Sequence, residues 1–121
     1  PFASSSGSLI KKRLHSNATP DDVYLQDELD ELATLWPGRF KVLYAVDDTA
    51  GQEWGGLVGR VDEATIKEHM PPPGEGTMVM TCGPKPMVAA IAGAKTPDFK
   101  QGEVGGLLAE LGYTTDMVWK F

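Results

Sequence analysis

Apolar residues recur along this chain in two periods, and the switches between them predict alternating helices and strands. Thr19-Pro20-Asp21-Asp22 offers a capping threonine, a proline for the first helical position and acids for the first turn. A helix is expected from there, because Leu25, Leu29, Leu32, Ala33 and Trp36 share one face at offsets of four, seven, eight and eleven. Asp27, Glu28, Asp30 and Glu31 take the solvent side, and Pro37-Gly38 ends the helix. Phe40 to Val46 is a nearly continuous run of β-formers, the pattern of a strand covered on both faces, and it stops at Asp47-Asp48. A glycine-rich connection from Gly51 to Gly59 carries Trp54. Asp62 then caps a short helix, Glu63 to His69, which Pro71-Pro72-Pro73-Gly74 closes.

Thr77 to Thr81 predicts the next strand, followed by a helix opened by Pro84 and Pro86 with Met87, Ala90 and Ile91 on its apolar side. Thr96 to Gly102 reads as a surface excursion. Val104, Leu107, Leu108 and Leu111 mark another helix, stopped by Gly112, and Met117 to Phe121 a last short strand. Strands alternating with helices predict an α/β domain: an open, mostly parallel sheet with helices on both faces. Residues 1–16 stand apart. They contain no acid, several serines and the cluster Lys11-Lys12-Arg13, so they read as a divergent or disordered N-terminal tail, or the remains of a targeting segment, ahead of a domain spanning 17–121.

Composition narrows the classes. A chain of 121 residues has room for one domain, or for one half of a larger one. A net charge of −6 and a pI near 4.8 exclude nucleic acid as the expected partner, since phosphate contacts need a basic surface. One cysteine excludes an internal disulfide or a multi-cysteine metal cluster, and His15 and His69 are too isolated to be ligands, so no metal site is expected. No apolar run approaches the roughly 18 residues of a membrane span. An acidic, intracellular domain is the expectation.

Candidate chemistry gathers at strand ends, where open α/β sheets bind ligands. The run Thr77 to Met87 delivers Cys82 and Gly83 from a strand to the mouth of a helix, where N–H groups attract an anion such as a dinucleotide pyrophosphate. Glycine there permits close approach of backbone to ligand. Cys82 has two readings, a functional thiol or a small buried hydrophobe. Asp47 likewise has two: an acceptor for both adenosine ribose hydroxyls that repels a 2′-phosphate and so selects NADH, or an ordinary loop aspartate.

Cys82-Gly83-Pro84-Lys85-Pro86-Met87 resembles the Cys-Gly-Pro-Pro-Pro-Met signature of the NADH-cytochrome b5 reductase family, among the ferredoxin reductase-like flavoenzymes. Asn17 through Leu32, Arg39 through Asp47, Trp54, Gly59 and Glu68 through Pro73 are similar to that family in order and spacing. Gln101-Gly102-Glu103 and the closing Val118-Trp119-Lys120-Phe121 resemble its fungal members more than a plant-type nitrate reductase fragment. The resemblance implies the C-terminal NAD-binding domain of an enzyme that passes a hydride from NADH to FAD and single electrons to cytochrome b5. It implies Cys82 beside the nicotinamide, Gly83, Pro84 and Met87 shaping the pocket, Asp47 on the ribose, Asn17 near the adenine, and Phe121 in the site. It also implies an FAD-binding domain and cytochrome b5 as partners, at the cytosolic face of endoplasmic reticulum or mitochondrial membranes.

Three departures accompany it. The family's Arg-x-Tyr-[Ser/Thr] flavin motif is absent, leaving no recognisable FAD site. Its Gly-Gly-x-Gly-Ile-Thr-Pro loop has only a faint echo in Phe2 to Gly7, and the nine residues from there to Asn17 are too few for the expected helix and second strand. The chain therefore reads as N-terminally shortened, with neighbouring strands to be repaired, swapped or left unpaired. Lys85 replaces a proline, and Arg60 stands where an aromatic is common; either charge can soften the NADH preference, with Lys85 expected in solvent. Alternative functions are a catalytically silent nucleotide-binding or protein-interaction module, and a thiol enzyme built on Cys82, for which neither histidine is evidently placed as base.

Overall fold

A computed structural model describes the backbone of residues 2–5 and 8–121 and the side chains of residues 11–121. Ser6 and Gly7, part of the faint glycine-loop echo, lie outside the described residues. Among the described residues, six strands form one open sheet. They are β1 (Phe2–Ser5), β2 (Ser8–Asn17), β3 (Phe40–Val46), β4 (Leu57–Val58), β5 (Thr77–Thr81) and β6 (Val118–Lys120), in the spatial order β4-β3-β2-β1-β5-β6. β2, β3 and β4 are mutually parallel, as are β5 and β6; β1 runs antiparallel to both its neighbours. The helices are α1 (Gln26–Leu35), α2 (Glu63–His69), α3 (Lys85–Ala92) and α4 (Gly106–Glu110).

The N-terminal segment corrects the expectation of a disordered tail. Residues 8–17 are a strand laddered in parallel register to β3, from Lys11 opposite Phe40 to Asn17 opposite Val46, and β1 folds back on it as a hairpin. The basic cluster concealed this, because charge obscures a strand pattern that pairing with β3 then enforces. Among the described residues no helix stands between β1 and β2. The antiparallel β1 instead enters the gap between β2 and β5, reaching only Thr77 and Met78 of β5.

Elsewhere the local signals hold. α2 starts where Asp62 accepts bonds from the Thr65 backbone N–H at 2.8 Å and its hydroxyl at 2.7 Å, which keeps the Asp62 carboxyl below its usual pKa. The helix expected from Thr19 divides in two. Thr19 and Asp22 form a capping box over a 3-10 turn, Leu25 adopts φ 57°, and α1 begins only at Gln26. Of its expected apolar face only Leu29 is buried, while Leu25, Leu32 and Trp36 are exposed. α1 rests against β3, pinned by the Tyr44 hydroxyl, which donates to Asp30 Oδ1 at 2.8 Å.

The main core lies on the β5–β6 side. Ile66, Val79, Ala92, Leu108, Tyr113 and Val118 pack together there, and burying one such large apolar side chain contributes about 1.5–3 kcal/mol. α3 and α4 meet through glycines. A Cβ on Gly106, at φ 58°, would lie 2.2 Å from the Ala90 carbonyl oxygen, so only glycine lets α4 begin against α3. Lys120 is buried in β6, 2% exposed, and its Nζ donates to the carbonyls of Glu103 (2.8 Å), Gln101 (2.9 Å) and Ala94 (3.3 Å). One polar side chain thereby fastens the 94–103 excursion to the last strand.

Candidate functional site

Parallel strands bring the predicted residues to one edge of the sheet in two pairs. Asp47 follows β3, and its N–H donates to the Asn17 carbonyl at 3.0 Å, joining the ends of β2 and β3. Phe121 follows β6, and its N–H donates to the Thr81 carbonyl at 2.9 Å, setting it beside Cys82 at the end of β5. Between the pairs opens a cleft of about 430 Å³, lined in part by His15, Thr81, Cys82, Met87, Leu108 and Phe121. Cys82, Met87 and Phe121 therefore share one wall system. Asn17 and Asp47 lie outside that lining, and so do Gly83 and Pro84.

Cys82 is an exposed free thiol, which decides against the buried-hydrophobe reading. Gly83 brings the turn against Met87: a Cβ there would fall 2.2 Å from Met87 Cε and push the methyl aside. Pro84 precedes the first turn of α3, and Pro86 occupies its second position and offers no N–H. That proline leaves the helix mouth fewer donors for an anion than its sequence position suggests. Lys85 is exposed, as expected, with Nζ 5.8 Å from the centre of the Phe99 ring. Arg60 is exposed. The Asp47 carboxylate is exposed and accepts no hydrogen bond among the described residues, so its oxygens are available to a ligand.

Several polar groups of the cleft escaped the sequence reading. Thr81 is 8% exposed, and its hydroxyl has no partner among the described residues. The alternation of Val79 and Thr81 along β5 was the available signal for its inward position. His15 Nδ1 is likewise buried and unpartnered, as is Nδ2 of the predicted Asn17 outside the cleft, and burial, then the charge of Arg13, lowers the His15 pKa. From the sequence His15 reads as too isolated to be a ligand; no hydrogen bond joins it to Cys82 among the described residues. Among the described residues no group of His, Cys, Asp and Glu is arranged to hold a metal ion.

Adenosine ribose asks for a free acceptor at one strand end, and a nicotinamide ring asks for an apolar bay with polar groups at its margin. Asp47 meets the first requirement. Met87, Phe121 and Leu108, with the unpaired Thr81 hydroxyl, meet the second, so the residues present fit a dinucleotide. The class is that of an α/β nucleotide-binding domain with its ligand edge at the carboxyl ends of parallel strands.

Residues 12–93 match the oxidoreductase NAD-binding domain, and the chain belongs to that family. It is 42% identical over 108 residues to an NADH-cytochrome b5 reductase-like protein of Arabidopsis thaliana, covering 89% of this chain and 32% of that one. It is also 42% identical over 109 residues to NADH-cytochrome b5 reductase 2 of Saccharomyces cerevisiae, covering 89% and 36%. Among solved structures, the cytochrome b5 reductase domain of Ulva prolifera nitrate reductase superposes with a TM-score of 0.71 at 28% identity, covering 89% of this chain and 36% of that one. The CS-b5R domains of human Ncb5or share the fold, with a TM-score of 0.69 at 22% identity, covering 91% and 27%. The chain thus spans about a third of the length of the curated relatives it matches.

Proposed function

We propose that this chain is the NADH-binding half of a cytochrome b5 reductase-like flavoenzyme. The observation that carries the reading is the placement of Asp47 and Cys82 at carboxyl ends of parallel strands, with Cys82, Met87 and Phe121 on one apolar cleft. When bound, NADH supplies a hydride for FAD held elsewhere in the enzyme, and electrons leave singly for cytochrome b5. Asp47 accepts from both ribose hydroxyls and repels a 2′-phosphate, and Asn17 borders the adenine side. Cys82 borders the nicotinamide, Gly83 admits it close to the backbone, and Pro84 sets the turn into α3. Met87 and Phe121 exclude water from the ring. An FAD-binding domain and cytochrome b5 are the partners, at the cytosolic face of endoplasmic reticulum or mitochondrial membranes. No helix among the described residues is long and apolar enough to cross a membrane. In this reading residues 17–121, together with the strand β2 laddered to β3, form the NAD-binding domain.

The antiparallel β1 between parallel neighbours favours a second reading, a catalytically silent nucleotide-binding module of the same descent. Calorimetric titration with NADH and with NADPH separates them, run on the chain alone and with a relative's FAD domain. Saturable NADH binding is expected in both settings, with flavin reduction when the FAD domain is present. Binding without reduction supports the silent module, and no saturable binding in either setting refutes both. Asp47→Ala should weaken NADH by about tenfold, the loss of one or two charge-assisted hydrogen bonds, and improve NADPH relative to it. An unchanged NADH/NADPH affinity ratio would remove Asp47 from the ribose.

A further inference from the structure

One charge at the sheet edge has no part in the function proposed above, that of Arg60. It follows β4, the strand laddered to β3 with Val58 opposite Val46, and the Gly59 N–H donates to the Val46 carbonyl at 2.8 Å. Asp47 is the first residue beyond β3, and Arg60 the second beyond β4. Neighbouring strands stand about 4.8 Å apart, so the two backbones leave the sheet side by side, a separation that an arginine side chain spans.

Both charged groups are free. Arg60 is exposed and makes no hydrogen bond or ion pair among the described residues, and the Asp47 carboxylate makes none either. Other acids near this edge are held in turns. Asp48 Oδ1 accepts from the Ala50 N–H at 2.8 Å, Asp21 Oδ2 from Gln52 Nε2 at 3.1 Å, and Asp62 Oδ1 from Thr65. Glu53 is exposed and adds to the negative field. Lys85 cannot take the place of Arg60: it follows β5, with β1 and β2 between it and β3, and its Nζ lies over the Phe99 ring.

The adenosine halves of the two nicotinamide dinucleotides differ in one group, a hydroxyl or a phosphate at the 2′ position. A carboxylate alone selects the hydroxyl, whereas an arginine near the ribose accommodates the phosphate. Guanidinium stays charged at any working pH and donates through a planar fork that matches two phosphate oxygens.

We propose that Arg60 determines cofactor specificity: it meets the 2′-phosphate of NADPH, so that this site accepts NADPH as well as NADH. The role rests on the site taking a dinucleotide with its ribose at Asp47. NADH gives both ribose hydroxyls to Asp47. NADPH keeps the 3′-hydroxyl there and exchanges the other bond for the pair with Arg60. Repulsion of the phosphate by Asp47, added to the charges of Asp48 and Glu53, leaves NADH the tighter ligand.

The test titrates the full chain and its Arg60→Ala and Arg60→Lys variants with NADH and with NADPH by calorimetry. Saturable binding of both is expected for the wild type. Arg60→Ala should weaken NADPH by about threefold to tenfold, one exposed ion pair strengthened by the double charge of the phosphate, and change NADH by less than about twofold. Arg60→Lys keeps the charge without the fork and should fall between. Added salt should weaken NADPH more than NADH in the wild type and equally in Arg60→Ala. Saturable NADH without NADPH in the wild type overturns the proposal and leaves the NADH site standing. So does an NADH/NADPH affinity ratio that Arg60→Ala leaves unchanged. Saturable binding of neither dinucleotide removes the site itself, and the role of Arg60 with it.

Discussion

Replacing Lys120 with methionine keeps the apolar stem in place and removes the ammonium that holds the 94–103 excursion. Its Nζ bonds three backbone carbonyls at 2.8, 2.9 and 3.3 Å, and the Gln101 side chain closes the arrangement from the other direction. Gln101 Nε2 donates to the Lys120 carbonyl at 2.8 Å, and the Lys120 N–H donates to Gln101 Oε1 at 2.7 Å. Hydrogen bonds from a charged donor contribute about 1.5–3 kcal/mol each, and desolvating an ammonium costs several kcal/mol, so the gross gain is largely offset. The variant also strands three neutral acceptors, each costing about 1–3 kcal/mol unless water enters. Water can reach this part of the chain, because Ala94 and Glu103 are exposed. We expect a net loss of about 2–4 kcal/mol in urea unfolding, with amides of the excursion exchanging faster.

The pH dependence of that difference has a sign. Burial lowers the Lys120 pKa from its ordinary 10.5, with Glu103 acting in the opposite direction. Between the lowered value and 10.5 the unfolded chain binds more protons, so wild-type stability from this group rises with pH. The wild type should therefore gain on Lys120→Met as pH approaches 10.5. A loss under about 0.5 kcal/mol, the range of ordinary surface changes, together with unaltered exchange in the excursion would refute the account.

Gly106→Ala should destabilise by about 2–4 kcal/mol, a left-handed residue at 1–3 kcal/mol plus overpacking against the Ala90 carbonyl. Gly112→Ala, at φ 93° with its nearest neighbour at 3.7 Å, carries the backbone strain without the clash. Equal urea midpoints for the two would remove the clash from the explanation. His15, with its pKa lowered from 6.5, contributes stability that is complete above 6.5 and lost as pH falls toward the lowered value, because the unfolded chain takes up the proton first. His15→Leu should flatten the thermal midpoint between about pH 8 and pH 5; an unchanged slope would show that His15 does not contribute to it.

Residue order alone was enough for the elements whose signals are local. β3 at Phe40–Val46, α2 at Glu63–His69 and β5 at Thr77–Thr81 occupy their expected residues, because β-forming runs, an aspartate cap and proline stops act within a few positions. The same locality put Asp47 and Cys82 at strand ends. Tertiary structure decided whatever depends on a distant partner. Ser8–Asn17 became a strand because β3 supplies its ladder, and Leu57–Val58 became an edge strand for the same reason. Leu25, Leu32 and Trp36 stayed exposed although their spacing is that of a buried face, since periodicity states which residues can be covered and not what covers them. Lys120 is buried because carbonyls from residues 94–103 converge on it. β1 lies antiparallel between β2 and β5, a consequence of pairing and register that no single segment carries.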